Sequence, residues 1–155
     1  MSVTEKDKWY VCKLVFVLCL LFVIARHAKA GQCEDYLAVN FGGWSHHFIS
    51  NTKTDNKWNE DHNIFGVQCN RWSAHKFINS YDRDAYSVGY TFPLRNYERY
   101  TLGIYAGVWS GYRDVVGDVD IMPVATPALT YRVGRLDINF MINPVVGVVY
   151  FGWRL

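Results

Sequence analysis

From residue 35 onward, apolar and polar positions alternate along the chain. In "LDINFMIN", Leu136, Ile138, Phe140 and Ile142 share one face, while Asp137, Asn139, Met141 and Asn143 share the other. The C-terminal "VGVVYFGWRL" repeats the pattern, with Val149, Phe151, Trp153 and Leu155 set against Val148, Tyr150, Gly152 and Arg154. A period of two is that of a β-strand. It predicts eight strands, near 36–48, 63–72, 75–81, 84–92, 99–110, 120–132, 135–143 and 146–155. Turns are expected at Trp72–His75, in "PLRNYER" at 93–99 and in "VGR" at 133–135, with longer links at 49–62 and 111–119.

Alternation suits a soluble sandwich or barrel with its apolar face inward. It equally suits a membrane barrel with that face turned to lipid and a polar lumen. The N-terminus favours the second. "LVFVLCLLFVIA", Leu14–Ala25, follows Lys6, Lys8 and Lys13 and precedes "AKA" at 28–30. A basic start, a short apolar run and a small-residue cleavage site form a secretory signal; the run is short for a spanning helix. The expected organisation is a signal peptide at 1–30 and a barrel at 31–155. The expected fold is all-β, an eight-stranded antiparallel transmembrane β-barrel in the bacterial outer membrane. Eight is the smallest usual strand number for such barrels. Phe140, Phe151 and Trp153 are expected to face outward and Arg154 inward. Trp44, Tyr81, Tyr86, Trp109 and Trp153 are candidate interface aromatics.

Charge changes this picture little. The chain has 16 Lys/Arg and 14 Asp/Glu. Removing residues 1–30 leaves eleven and twelve, so the formal excess of +2 belongs to the targeting segment and points to no nucleic-acid partner. Of four cysteines, Cys33 and Cys69 lie beyond that segment. In an exported chain they form a disulfide or remain two free thiols. No clustered Cys/His spacing points to a structural zinc site.

If strand one runs outward, its upper end carries Trp44–Phe48, and the upper end of strand three carries "FINSY", 77–81. A serine and a histidine on one rim make a candidate nucleophile–base pair, although rim histidines and serines also serve solvation. Segments in order along the chain resemble the PagP-type lipid A palmitoyltransferase family: "WSHHF" at 44–48, "WNE" at 58–60, "FINS" at 77–80, "VGYTF" at 88–92, "LGIYAGV" at 102–108, "PVATP" at 123–127 and "VYFGWRL" at the C-terminus. The resemblance implies an eight-stranded barrel with an acyl pocket in the lumen. It implies transfer of an acyl chain from a phospholipid donor to lipid A or lipopolysaccharide in the outer leaflet, without a cofactor. Carried over residue by residue, its surface site falls on His46 or His47, Asn79 and Ser80.

The chain departs from that pattern. Asn79 stands where the family has an aspartate, and an amide orients an imidazole without stabilising its charge. Aligning Phe48 with the family aromatic puts Ser45 at the histidine position, so His46 or His47 enters only through a bulge. Strand parity selects His46, on the face of Ala38, Asn40, Gly42 and Trp44, and His47 stays open at the strand end. The family's N-terminal amphipathic helix has no counterpart. The resemblance also implies that Thr91, twelve residues beyond Asn79, stands at the glycine floor of the acyl pocket. Pro123 and Pro127 weaken strand pairing, as a local bulge or as a lateral opening for a lipid chain. The competing class is a non-enzymatic surface barrel, structural, adhesive or binding, with recognition in the long links. A chain-holding channel favours the enzyme, and a polar, fully packed lumen favours the alternative.

Overall fold

The computed structural model describes Cys33 and residues 36–49, 58–113 and 120–155. The chain divides after Gln32 into two units; the first, which holds the expected signal peptide, lies outside the described residues. The second is all-β. Its strands are β1 (Leu37–His47), β2 (Asp61–Cys69), β3 (Trp72–Ile78), β4 (Asp84–Asn96), β5 (Tyr100–Ser110), β6 (Ile121–Val133), β7 (Leu136–Ile142) and β8 (Val146–Arg154). Each pairs antiparallel with the next, and β8 returns to β1, closing the barrel. Closure gives every strand two neighbours, so no strand is an edge along its whole length. Such a barrel fits an outer-membrane protein.

The alternation read from the sequence sets the two faces. Buried positions are rich in polar residues, among them Asn40, His62, His75, Ser87, Thr126, Asp137 and Asn139. The outward positions are apolar: Phe65 is 66% exposed, and Phe41, Val88, Phe140 and Trp153 are exposed with it. Phe151 packs on Phe41 and Trp44 along that outer face. Arg154 turns inward to Asp137, 3.3 Å away. Trp109 and Tyr81 depart from the expected interface role: both pack against a cluster inside the barrel.

Three expectations about local structure need correction. The β2–β3 turn is at Asn70–Arg71, with Trp72 already paired to Cys69. Asn70 takes φ of 52°, a left-handed conformation that asparagine tolerates and most residues resist. Strand β4 does not stop at Pro93. It passes through an irregularity between Pro93 and Arg95 and ends at Asn96. Strand β1 is bulged at Gly42–Gly43, where its register to β2 and β8 shifts. Gly43 has φ of 137°, and a Cβ there would lie 2.6 Å from Ile64 Cδ1, so the bulge requires glycine. One extra residue exchanges the faces of everything beyond it. Trp44 and His46 are therefore exposed, and Ser45 is buried. The parity that selected His46 for the lumen fails at this bulge.

The turns 70–71, 97–99 and 134–135 lie at one end with Tyr36 and Leu155, and the turns 79–83 and 143–145 lie at the other with the longer links. Cys33 and Cys69 form a disulfide with Cα atoms 5.1 Å apart, tying the approach to β1 to the short-turn end of β2.

Candidate functional site

The lumen has two halves of different chemistry. Toward the long-link end, Ile64, Phe77, Ala85, Tyr112 and Tyr150 form a buried apolar cluster, with Trp109, Met122, Met141 and Val148 packed against it. The rings are coupled edge-on: Phe77 to Trp109 at 5.6 Å, Tyr81 to Tyr112 at 6.3 Å. Toward the short-turn end the filling is polar. Tyr36 donates a hydrogen bond to Asp137, Thr130 donates to Asn139 at 2.8 Å, and Arg132 donates to Thr101 at 2.8 Å. Arg154 and Asp137 are in ion-pair contact without hydrogen-bond alignment. Burial, then the bond to Asp137, holds the Tyr36 phenol far above its ordinary pKa. Between the halves, Asn40 Nδ2 donates to His75 Nε2 at 2.8 Å, and His75 Nδ1 donates to Ser87 Oγ at 3.2 Å. Tyr105 crosses the lumen at this level. A Cβ on Gly89 would lie 2.3 Å from its ring, so that glycine makes the room for it.

The upper half holds a cavity of about 50 Å³ lined by His62, His75, Phe77, Ser80, Trp109 and Tyr150 among others. That is about a third of the roughly 150 Å³ apolar cavity that accommodates benzene. The compartment is apolar in character but closed around its own side chains. Its wall is incomplete on one side. Strand β6 pairs with β5 from Tyr131 to Ile121. It pairs with β7 only from Val133 to Ala128. Pro127, with no N–H, stands where that ladder ends, and Thr126 donates its hydroxyl to Ile142 O at 2.6 Å instead. The β7–β8 hairpin then turns back at once, held by Asn143 Oδ1 accepting from Val145 N and Val146 N. Among the described residues, Ile121–Thr126 is therefore unpaired on its β7 side, near Met141, Val146 and Val148, which line the cavity. Pro123 and Pro127 occur on this half-paired stretch, where a missing donor is tolerated.

The four residues read from the sequence lie on one rim but do not converge. Ser80 lines the cavity. Its carbonyl accepts from Asn59 N at 3.0 Å, and Ser45 N donates to Glu60 O at 2.8 Å, so the stretch after the long link joins the two strand ends. Asn79 is fully buried. Its Oδ1 accepts from Tyr81 N and Arg83 N at 2.9 and 3.1 Å, and its Nδ2 donates to Gly111 O at 2.6 Å. Asn79 thus caps the β3–β4 turn and ties it to the β5–β6 link; both polar atoms bond to backbone, none to an imidazole. His46 faces outward, 3.5 Å from Glu60. His47 turns inward and stacks on Trp58 at 4.6 Å.

The histidine that shares the cavity with Ser80 at the rim is His62, which the sequence reading missed. Its Nδ1 lies 2.6 Å from Ile78 O. A carbonyl only accepts, so Nδ1 carries the proton and Nε2 keeps its lone pair. The missed signal was where β2 begins. Started at Asp61 rather than 63, the strand puts His62 in phase with the inward Ile64, Gly66 and Gln68. No family model matches the chain, and no curated protein is significantly similar to it.

Proposed function

We infer that the protein is an outer-membrane acyltransferase that takes an acyl chain from a phospholipid and passes it to a lipid A-type acceptor in the outer leaflet. The observation that carries this reading is the apolar compartment with a serine and a tautomer-fixed histidine at its rim, beside an unpaired stretch of wall. An apolar pocket with few polar groups is the usual form of a lipid-binding site. The outward apolar belt supports the membrane, and the ordered segments resembling the PagP-type family support the reaction.

In this reading the donor's acyl chain enters through the gap above Pro127, and its ester stays at the rim. His62 Nε2 accepts the proton of the attacking acceptor hydroxyl. The hydroxyl oxygen bonds to the ester carbon, and the Ser80 hydroxyl donates to the oxyanion that develops there. The ester C–O bond to the donor breaks, and the proton passes from His62 to the departing glycerol oxygen. Trp109, Met122 and Met141 must change rotamer to admit the chain, since the closed cavity is too small for it.

The test is acyl transfer from phosphatidylcholine to purified lipid A in mixed micelles by the refolded barrel. Ser80→Ala and His62→Gln are each expected to lower the rate by about 10²-fold or more, with folding intact. His47→Gln is expected to leave it within a few-fold. Full activity in Ser80→Ala and His62→Gln removes both residues from the chemistry. A second reading, a non-enzymatic barrel, is favoured by one observation, the closely filled lumen. It predicts no transfer by the wild type.

A further inference from the structure

The two ends of the barrel differ in how their cations are matched. At the long-link end, Lys76 lies 3.4 Å from Asp84, and Arg113 lies 3.9 Å from Asp120. At the short-turn end, every turn carries exposed arginine: Arg71 between β2 and β3, Arg95 and Arg99 around the β4–β5 turn, and Arg135 between β6 and β7. None of these four guanidinium groups has a partner among the described residues. The one exposed acid described there is Glu98; Asp137 is buried and engaged by Tyr36 and Arg154. Among the described residues, then, four guanidinium groups around one rim stand without an anion, and an external one can serve them.

The surroundings say which anion. Aromatic residues accompany the arginines at this end: Tyr97, in the β4–β5 turn itself, stacks on Tyr100 at 4.3 Å, Trp72 packs edge-on to Tyr90 at 5.1 Å, and Tyr131 and Trp153 are exposed. Tyrosine and tryptophan settle at headgroup depth. Long arginine side chains beside them reach the phosphate layer, with their stems along apolar surface. The guanidinium fork fits phosphate oxygens in pairs. We propose that this arginine collar binds the phosphate groups of anionic phospholipids in the leaflet at the short-turn end, and so fixes the barrel's depth and orientation. The proposal rests on the membrane reading, and on neither the catalytic residues nor the substrate.

The full chain, folded in non-ionic detergent, is offered equal amounts of phosphatidylglycerol and phosphatidylcholine, and retained lipid is read by native mass spectrometry. Phosphatidylglycerol is expected in about tenfold excess, declining with added salt. The quadruple variant Arg71→Gln, Arg95→Gln, Arg99→Gln, Arg135→Gln is expected to retain the two lipids equally. Equal retention by the wild type, or a preference that survives in the variant, overturns the proposal. So does displacement of phosphatidylglycerol by inorganic phosphate at the same concentration, which would mark a site for soluble anions. Insertion is scored separately, by protease protection and heat-modifiable gel migration in phosphatidylcholine vesicles. A barrel that inserts without lipid preference refutes the collar alone. A chain that does not insert refutes the membrane reading and the collar with it.

Discussion

Tyr105 and Tyr150 close the upper compartment from below, so in the acyltransferase reading they set how deep a hydrocarbon chain reaches. Thr91 faces the lumen, as its position in "VGYTF" suggested, but it lies beneath them, in a separate small space with Gln68 and Asn139. In that reading the floor lies above the level the resemblance implied, because the Tyr105 ring fills the volume over Gly89, an arrangement no count along one strand reveals. Each methylene left outside the pocket forgoes roughly 0.8 kcal/mol of burial, so a shallow floor selects short chains. The expected donor preference is shorter than palmitoyl, and Tyr105→Leu is expected to shift it toward longer chains, while Thr91→Gly leaves it unchanged. Acyl-chain profiling of the transferred product checks this; a palmitoyl preference indifferent to Tyr105→Leu rules the floor out. Residue identities at the rim were legible where strand ends were: Ser80 follows directly from the end of β3. His62 was not legible, because its inward position depends on a two-residue extension of β2 that hydrophobicity does not mark in "EDHNIF".

At the scale of elements, alternation located all eight strands, and the structure shifts mainly their ends. What alternation does not carry is an interruption in its own phase. The Gly42–Gly43 bulge reverses the faces of Ser45, His46 and His47; the glycine pair and the offset of the histidines from the resembling family were its traces in the sequence. Gly43→Ala tests the bulge: the strained φ and the overlap with Ile64 are expected to cost about 2 kcal/mol, read as a lower urea midpoint, whereas an alanine at Gly134, where a Cβ meets nothing within 4 Å, loses only what its φ of 60° imposes. If Gly43→Ala is as stable as wild type, the bulge is not held by that glycine. The gap above Pro127 belongs to this scale too. Two prolines foretold a weak edge, but not that β7 would be so short that six residues of β6 stand beyond its end.

For the whole molecule, the disulfide and the barrel are coupled. The Cys33–Cys69 link spans 36 positions, and closing a loop of that length removes unfolded-chain entropy worth about 4 kcal/mol. Cys33→Ser with Cys69→Ser is expected to keep the eight-stranded fold, seen as unchanged heat-modifiable migration, at a lower midpoint of unfolding. Loss of the barrel in that variant would mean that strand pairing alone does not hold it. The sequence left the pairing open because two cysteines at the same end of adjacent strands give proximity but no separation. The closed barrel, its apolar exterior and its divided lumen together make an account of acyl transfer between lipids, and one measurement bears on it most directly. Lipid A is extracted from Gram-negative cells that express the chain, from cells that express the folded Ser80→Ala variant, and from cells without either, and its mass is recorded. The account predicts an added species, heavier by one acyl group shorter than palmitoyl, in the wild type alone. Identical lipid A in all three, with the wild-type barrel correctly folded in the outer membrane, contradicts it.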